Sequence, residues 1–204
     1  MPRSGKARGY HHGDLRTALI DAAIELIGEN GVRNFSLAEA SRRVGVAVSA
    51  PYAHFADRDE LLAAVAVHAY ELFAAELEPE VAQLDAPADR LAATARAYVR
   101  FAAAHRPLFE VLFEAGLDKQ RHPEMEAAEK PITDAFLASV RAVTNDGEEA
   151  SEELATAVEA TAHGHAMLLL DGSFGRGNEA AERAAEKAAR ATLALIESRH
   201  LLSD

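Results

Sequence analysis

SLAEASRRVGVAVSAPYAHFADRDELL, residues 36–62, decides how this chain folds. Ser36 can cap a helix, and Glu39 stands three residues on, where it can reach back to the cap. That capping box fixes a helix start. Leu37, Ala40 and Val44 recur at helical spacing and give this helix one apolar face. Gly45 supplies the left-handed backbone geometry that ends a helix tightly, and Val46 can pack inward at the turn. A second helix is expected to open at Ala47 or Ser49 and to run to about Phe55. Asp57 caps a third, with Glu60 in the capping-box position. Two short helices joined by a glycine turn and crossing steeply form a helix-turn-helix, whose second helix fits a DNA major groove.

Upstream, Leu15, Leu19, Ala22, Ala23, Leu26 and Ile27 line one face of a helix that Asp14 can cap and Asn30-Gly31 ends. Val32 and Phe35 then drop into a small core. Residues 1–9 have no periodicity and are expected to be disordered without DNA. Downstream, a helix from Arg58 carries Leu61, Leu62, Val65, Tyr70, Leu72 and Phe73 to about Leu77, ahead of Pro79. It is long enough to leave the small domain and join it to the rest. Further helices are expected over about 87–104, 107–113, 124–143, 149–170 and 179–200, with a glycine-rich break, GSFGRGN, at 172–178. Runs of alternating β-branched residues, which mark strands, do not occur. The fold class is all-α: an N-terminal three-helix helix-turn-helix DNA-binding domain over 1–56, then a C-terminal helical bundle for ligand binding and dimerisation over 57–204.

The net charge of −12 conceals an asymmetry. Residues 1–58 carry eight basic against six acidic residues, a net +2; the remainder carries 13 against 27, a net −14. The DNA-binding candidate is therefore locally basic, with Arg3, Lys6, Arg8 and Arg16 crowded at the start beside His11 and His12. An acidic body behind it repels DNA from every other face. The chain has no cysteine, which excludes disulfides, thiolate catalysis and cysteine zinc sites. No apolar run approaches the ~20 residues that span a bilayer, so no membrane partner is expected and a cytoplasmic protein is the default. His163 and His165 are two apart on a helix and point to different faces. No metal site, catalytic set or cofactor is implied. The GSFGRG run lacks the lysine and the preceding strand of a phosphate loop.

The segment 36–62 resembles the DNA-binding domain of the TetR family of bacterial repressors. The resemblance rests on Gly45-Val46 at the turn, Tyr52-Ala53-His54-Phe55 after it, and Arg58-Asp59-Glu60-Leu61-Leu62 opening the next helix. It extends to residues 10–31, similar to that family's first helix. Residues 97–113 and 160–172 are similar to the regulatory domain of a branch named for a Trp-His-Gly motif. This chain has Ala162-His163-Gly164 there, without the tryptophan. The resemblance implies that Val48, Ser49 and Ala50 face base edges, with Leu37 and the basic arm adding to the readout. It implies phosphate contacts from Ser36, Tyr52, His54 and Arg58, all with fitting donors. Arg42 and Arg43 are expected in solvent or only weakly near phosphate, and Tyr52 is expected to pack its ring and turn its hydroxyl outward.

Tyr98, Phe101, His105, Phe109, Phe113, Phe136 and Met167 are bulky groups set among many alanines, a composition that can leave a cavity beside His163 and Gly164. The resemblance makes Tyr98, Phe101, His105, Phe109, Phe113, Phe136, His163 and Met167 candidate contacts for a small, largely apolar effector. The last two helices are expected to pair with their symmetry mates through Leu154, Val158, Thr161, Ala162, His165 and Leu169, and through Leu193, Ile196 and Leu201. The expected function is a ligand-responsive homodimeric repressor on a palindromic double-stranded DNA operator. The competing readings are a helical-bundle small-molecule carrier or enzyme with an incidental helix-turn-helix, or a protein-interaction module.

Overall fold

The computed structural model describes residues 12–145 and 147–202, and over these it contains helices and no strand. The basic stretch with Arg3, Lys6, Arg8 and His11 lies outside the described residues. Eight α-helices follow one another: α1 (His12–Asn30), α2 (Leu37–Val44), α3 (Arg58–Val81), α4 (Pro87–Ala104), α5 (Arg106–Glu114), α6 (Pro123–Thr144), α7 (Glu148–Leu170) and α8 (Asn178–Glu197). Short 3-10 turns stand at Val32–Asn34, Ala50–Ala53 and Arg199–Leu201.

The expected caps form. Ser36 Oγ accepts the Glu39 amide at 3.3 Å, and Asp57 Oδ1 accepts the Glu60 amide at 2.9 Å. The Glu60 carboxylate in turn takes the Ala56 amide. Gly45 closes α2 at φ 79°, its N–H shared between the Ser41 and Arg42 carbonyls. A side chain there would be strained by the left-handed backbone.

Three expectations about element ends are corrected. Asp14 lies inside α1, which is already helical at His12. Pro79 does not stop α3, which continues to Val81 without the bond that a residue 79 N–H would have given the Ala75 carbonyl. The helix expected over 47–55 is only a turn at Val48–Ser49 followed by the 3-10 turn Ala50–Ala53. Pro51 is the cause, because in an α-helix its missing N–H would have bonded Ala47. The Ala47 carbonyl instead accepts from Ala50 at 2.8 Å, the tighter 3-10 spacing.

The small N-terminal unit closes around Leu19, Ala23, Leu26, Ile27, Phe35 and Phe55, with Leu61 and Leu62 arriving from α3. The same apolar cluster runs on along α3 through Val65, Ala69, Phe73 and Leu77 into α4, α5 and the end of α7. At about 1.5 Å per residue the 24 residues of α3 carry the chain ~36 Å from one unit to the other. Besides chain continuity and the packing of Leu61 and Leu62, polar and close-packed contacts tie the units together. The Arg58 guanidinium donates to the Val32 and Phe35 carbonyls at 2.7 and 3.1 Å, clamping the start of α3 to the 3-10 turn before α2. Pro107 at the start of α5 packs against Gly28 of α1, so closely that a Cβ there would stand 3.2 Å from the proline ring. The connecting helix α3 is therefore not the sole link between the two parts.

In the larger part, α4 and α8 bury mostly alanines, among them Ala92, Ala184, Ala185 and Ala188, and small side chains let the two axes approach closely. Arg100 bridges Glu182 at 2.7 Å and Glu80 at 3.1 Å, fastening α4 to both α8 and the end of α3. On α7, Leu154, Val158, Ala162 and Leu169 are buried within the protomer. Ile196 of α8 is buried too. The stripe expected to meet a partner is thus largely spent inside one chain. A helix in a multilayer bundle has more than one apolar face, and periodicity does not say which face stays inside.

Candidate nucleic-acid interface and internal cavity

The turn after Gly45 brings Val48 (51% exposed), Ser49 and Tyr52 (60% exposed) to the surface, with Ala50 half-buried. Pro51 and Phe55 hold the segment from beneath, both buried, and the Arg16 guanidinium lies 5.4 Å from the Phe55 ring centre. The Tyr52 ring stands clear of the core, which corrects the expectation that it is packed. His54 is half-buried at the end of the turn. Ser36 is half-buried and caps α2.

Leu37 is only 6% exposed and its side chain belongs to the core. It presents no apolar group to a base, because it heads the inward stripe of α2. Arg58 is also reassigned: its guanidinium is engaged by the Val32 and Phe35 carbonyls and by Asp59 at 3.2 Å. It holds the domain together instead of facing phosphate. Arg43 is fixed by Glu29 at 2.6 Å and Glu25 at 3.1 Å, and its hydrogen bonds hold the Glu29 carboxyl below the usual carboxylate range. Arg42 is exposed.

Helices α3 to α7 line a cavity of about 560 Å³ that stands partly open to solvent. Of the expected contacts, Tyr98, Phe101, Phe109, Phe113, Phe136 and His163 line it. Phe109 is the hub of an aromatic wall. Its ring centre lies 4.7 Å from Phe113 and 5.6 Å, edge-on, from Tyr98, and it stacks on His163 at 5.8 Å. The Tyr98 hydroxyl and His163 Nδ1 are 2.9 Å apart, joining α4 to α7 across the cavity. Burial pushes the Tyr98 hydroxyl above its ordinary range, and the Glu159 charge adds to the shift.

His105 and Met167 do not line the cavity. The chain leaves helical geometry at His105 (φ −125°, ψ 46°), which turns the ring off the α4 face; Nε2 meets Glu76 Oε1 at 2.8 Å. Met167 is a turn beyond His163 on α7 and offset by about 40° around the axis, so it points outward and is 42% exposed.

Several lining residues escape sequence reasoning: Tyr70 and Phe73 on α3, Glu129 and Ile132 on α6, and Glu159 on α7. Tyr70 and Phe73 are visible as apolar residues of the connector, spaced i, i+3. The two acids carry no signal, since a glutamate on an alanine-rich helix reads as solvated. Glu129 accepts a hydrogen bond from Tyr70 and pairs with Lys119. Burial, and then the charge of Glu129, pushes the Glu159 carboxyl up from its usual range.

Two family models match this chain. One, described as bacterial regulatory proteins of the tetR family, covers residues 19–65; the other, described as a tetracyclin repressor-like C-terminal domain, covers residues 91–192. The HTH-type transcriptional regulator BetI of Brucella suis biovar 1 (strain 1330) is 33% identical over 78 residues, which are 38% of this chain. The match spans only 39% of that relative's length. Among solved structures, a protein of unknown function from Rhodococcus sp. RHA1 has a TM-score of 0.70 at 30% identity, over 92% of this chain and 98% of that one. AibR, solved in complex with isovaleryl coenzyme A and operator DNA, has a TM-score of 0.64 at 18% identity, over 89% and 97% of the two chains; that likeness is one of fold.

Proposed function

This chain belongs to the TetR family of bacterial transcriptional regulators, and from that premise we propose that it is a homodimer that binds a palindromic operator and releases it when a small molecule occupies the α3–α7 cavity. Regulators of this family are not enzymes, which sets aside the enzyme reading. The observation that carries the proposal is the position of α5. It supplies Phe109 and Phe113 to the cavity wall, and its first turn packs against α1 through Pro107 and Gly28. A ligand that favours one placement of α5 therefore biases the placement of the DNA-binding unit over residues 1–56. Only a difference in affinity between the two arrangements can shift their populations. That AibR was crystallised with both a small molecule and operator DNA supports the pairing of the two sites.

In this reading Val48, Ser49 and Ala50 meet base edges, while Ser36, Tyr52 and His54 position the backbone. Tyr52→Ala lowers affinity for every DNA sequence alike, by about fivefold for one lost phosphate hydrogen bond. Val48→Ala changes which operator is preferred, because it removes an apolar partner for a thymine methyl. Anisotropy titrations against an operator and a scrambled duplex separate the two; a changed preference from Tyr52→Ala reverses the assignment.

The partner-facing surface moves to the outer side of α7. Gly164, Met167 and Leu168 share one stripe there, with Met167 and Leu168 42% and 44% exposed. Among the described residues outside its own helix turn, nothing stands within 4 Å of where a Gly164 Cβ would be, so a second helix has room to approach. Leu168→Glu raises the dimer dissociation constant at least about tenfold by placing a charge in that contact. Sedimentation at micromolar concentration reads it, and an unchanged dimer removes α7 from the interface.

Gly28→Leu tests the α5 coupling. The new Cβ stands 3.2 Å from the Pro107 ring, tighter than ordinary contact, so the start of α5 must yield from α1. Operator affinity is expected to shift by severalfold with unfolding stability lowered by about 1–3 kcal/mol. Unchanged affinity in a folded variant would show that α5 transmits nothing.

A further inference from the structure

The cavity is not uniformly apolar. Its carboxylates come from Glu129 on α6 and Glu159 on α7, beside the hydroxyls of Thr94, Thr133 and Thr156 and the His163 imidazole, and no lysine or arginine is among its lining residues. The aromatic faces of Tyr98, Phe109 and Phe113 complete the wall beside them. One acid is already matched. The Lys119 ammonium, from the loop between α5 and α6, pairs with Glu129 and lies 5.9 Å from the Tyr70 ring centre. This corner of the cavity thus holds a cation on a carboxylate and an aromatic face, using the chain's own side chain. Glu159 has no ion pair or hydrogen bond among the described residues.

We propose that the effector is an organic ammonium ion, its charge held at Glu159 and its apolar body laid against Tyr98 and Phe113. This rests on the reading of the cavity as the effector site. Three arguments favour a cation within the small, largely apolar effector that the resemblance implies. A ligand that excludes water from Glu159 removes solvation from a carboxylate and must replace it with charge or hydrogen bonds. Lys119 offsets only Glu129, so the Glu159 carboxylate keeps one unmatched negative charge beside the aromatic wall, which an added cation meets. Aromatic faces attract ammonium groups through their negative quadrupoles, and more so where water is excluded. An anionic ligand meets only repulsion here, because the nearest ammonium is consumed by Glu129.

Isothermal titration of the full-length protein with three matched probes tests this: 4-phenylbutylammonium, 4-phenylbutanol and 4-phenylbutyrate, at one ionic strength. The expected result is that the ammonium binds at least about tenfold more tightly than the alcohol and that the carboxylate binds least. Glu159→Gln removes most of the ammonium's advantage and leaves the alcohol's affinity unchanged, which shows that the cavity itself is intact. Glu153→Gln, on the same helix but outside the cavity lining, changes neither. An alcohol or carboxylate that binds as tightly as the ammonium, or a Glu159→Gln variant that loses nothing, overturns the cation assignment and leaves the cavity as the effector site. If none of the three binds at millimolar concentration, the cation assignment and the effector reading both fail.

Discussion

Phe109→Ala lowers the unfolding free energy by about 3 kcal/mol, the low end of the range for truncating a buried phenylalanine. Phe109 is 2% exposed and contacts Tyr98, Phe113 and His163 through its ring. The cost falls at the low end because the ring borders an existing cavity and Phe113, half in solvent, can move into the vacated space. Urea denaturation measures the loss. A change below about 1 kcal/mol would mean that the aromatic wall is not packed as described. The same variant should alter effector binding more than operator binding, since Phe109 touches no residue of the DNA-reading turn.

Arg58→Ala costs about 2 kcal/mol of stability, because hydrogen bonds from a charged group to two backbone carbonyls are lost. The Phe35 carbonyl is left without that donor at the joint between the two parts of the molecule. Operator affinity falls with it, since α3 no longer anchors the turn ahead of α2. Arg58→Lys keeps the charge but not the fork that reaches both carbonyls, and recovers only part of the loss. Thermal and urea unfolding beside DNA anisotropy decide the matter. Unchanged stability with weakened DNA binding would return Arg58 to a phosphate-contacting role.

Much of this architecture is legible in the amino-acid sequence. Ser36 with Glu39, and Asp57 with Glu60, mark two helix starts that form as expected, and Gly45 marks the turn between them. Capping is local, so a short window of sequence carries it. Pro51 is also in plain sight, yet its effect depends on which carbonyl its missing N–H leaves unpaired, and that requires the register of the turn. Arg58 reads as a surface cation because its acceptors, the carbonyls of Val32 and Phe35, are backbone atoms that composition never reveals. The stripe on α7 has the expected period and a different partner. Leu154, Val158 and Ala162 meet their own chain, and the outward face belongs to residues such as Gly164 and Leu168. Six of the eight expected cavity residues line the cavity, because aromatic groups among alanines announce unfilled space. Its acids stay hidden from sequence reasoning, since the placement of Glu159 at the pocket, where it is still exposed, is a consequence of tertiary packing alone.

The most direct test of the central claim is a footprint of the full-length protein on the DNA flanking its own coding sequence. The account predicts a bounded protected segment with two halves related by a two-fold axis, their centres about one helical turn or more apart, as a symmetric dimer requires. Protection should weaken steeply as salt rises. Uniform coating with no boundary, or no protection at a concentration where the protein is folded, would contradict it.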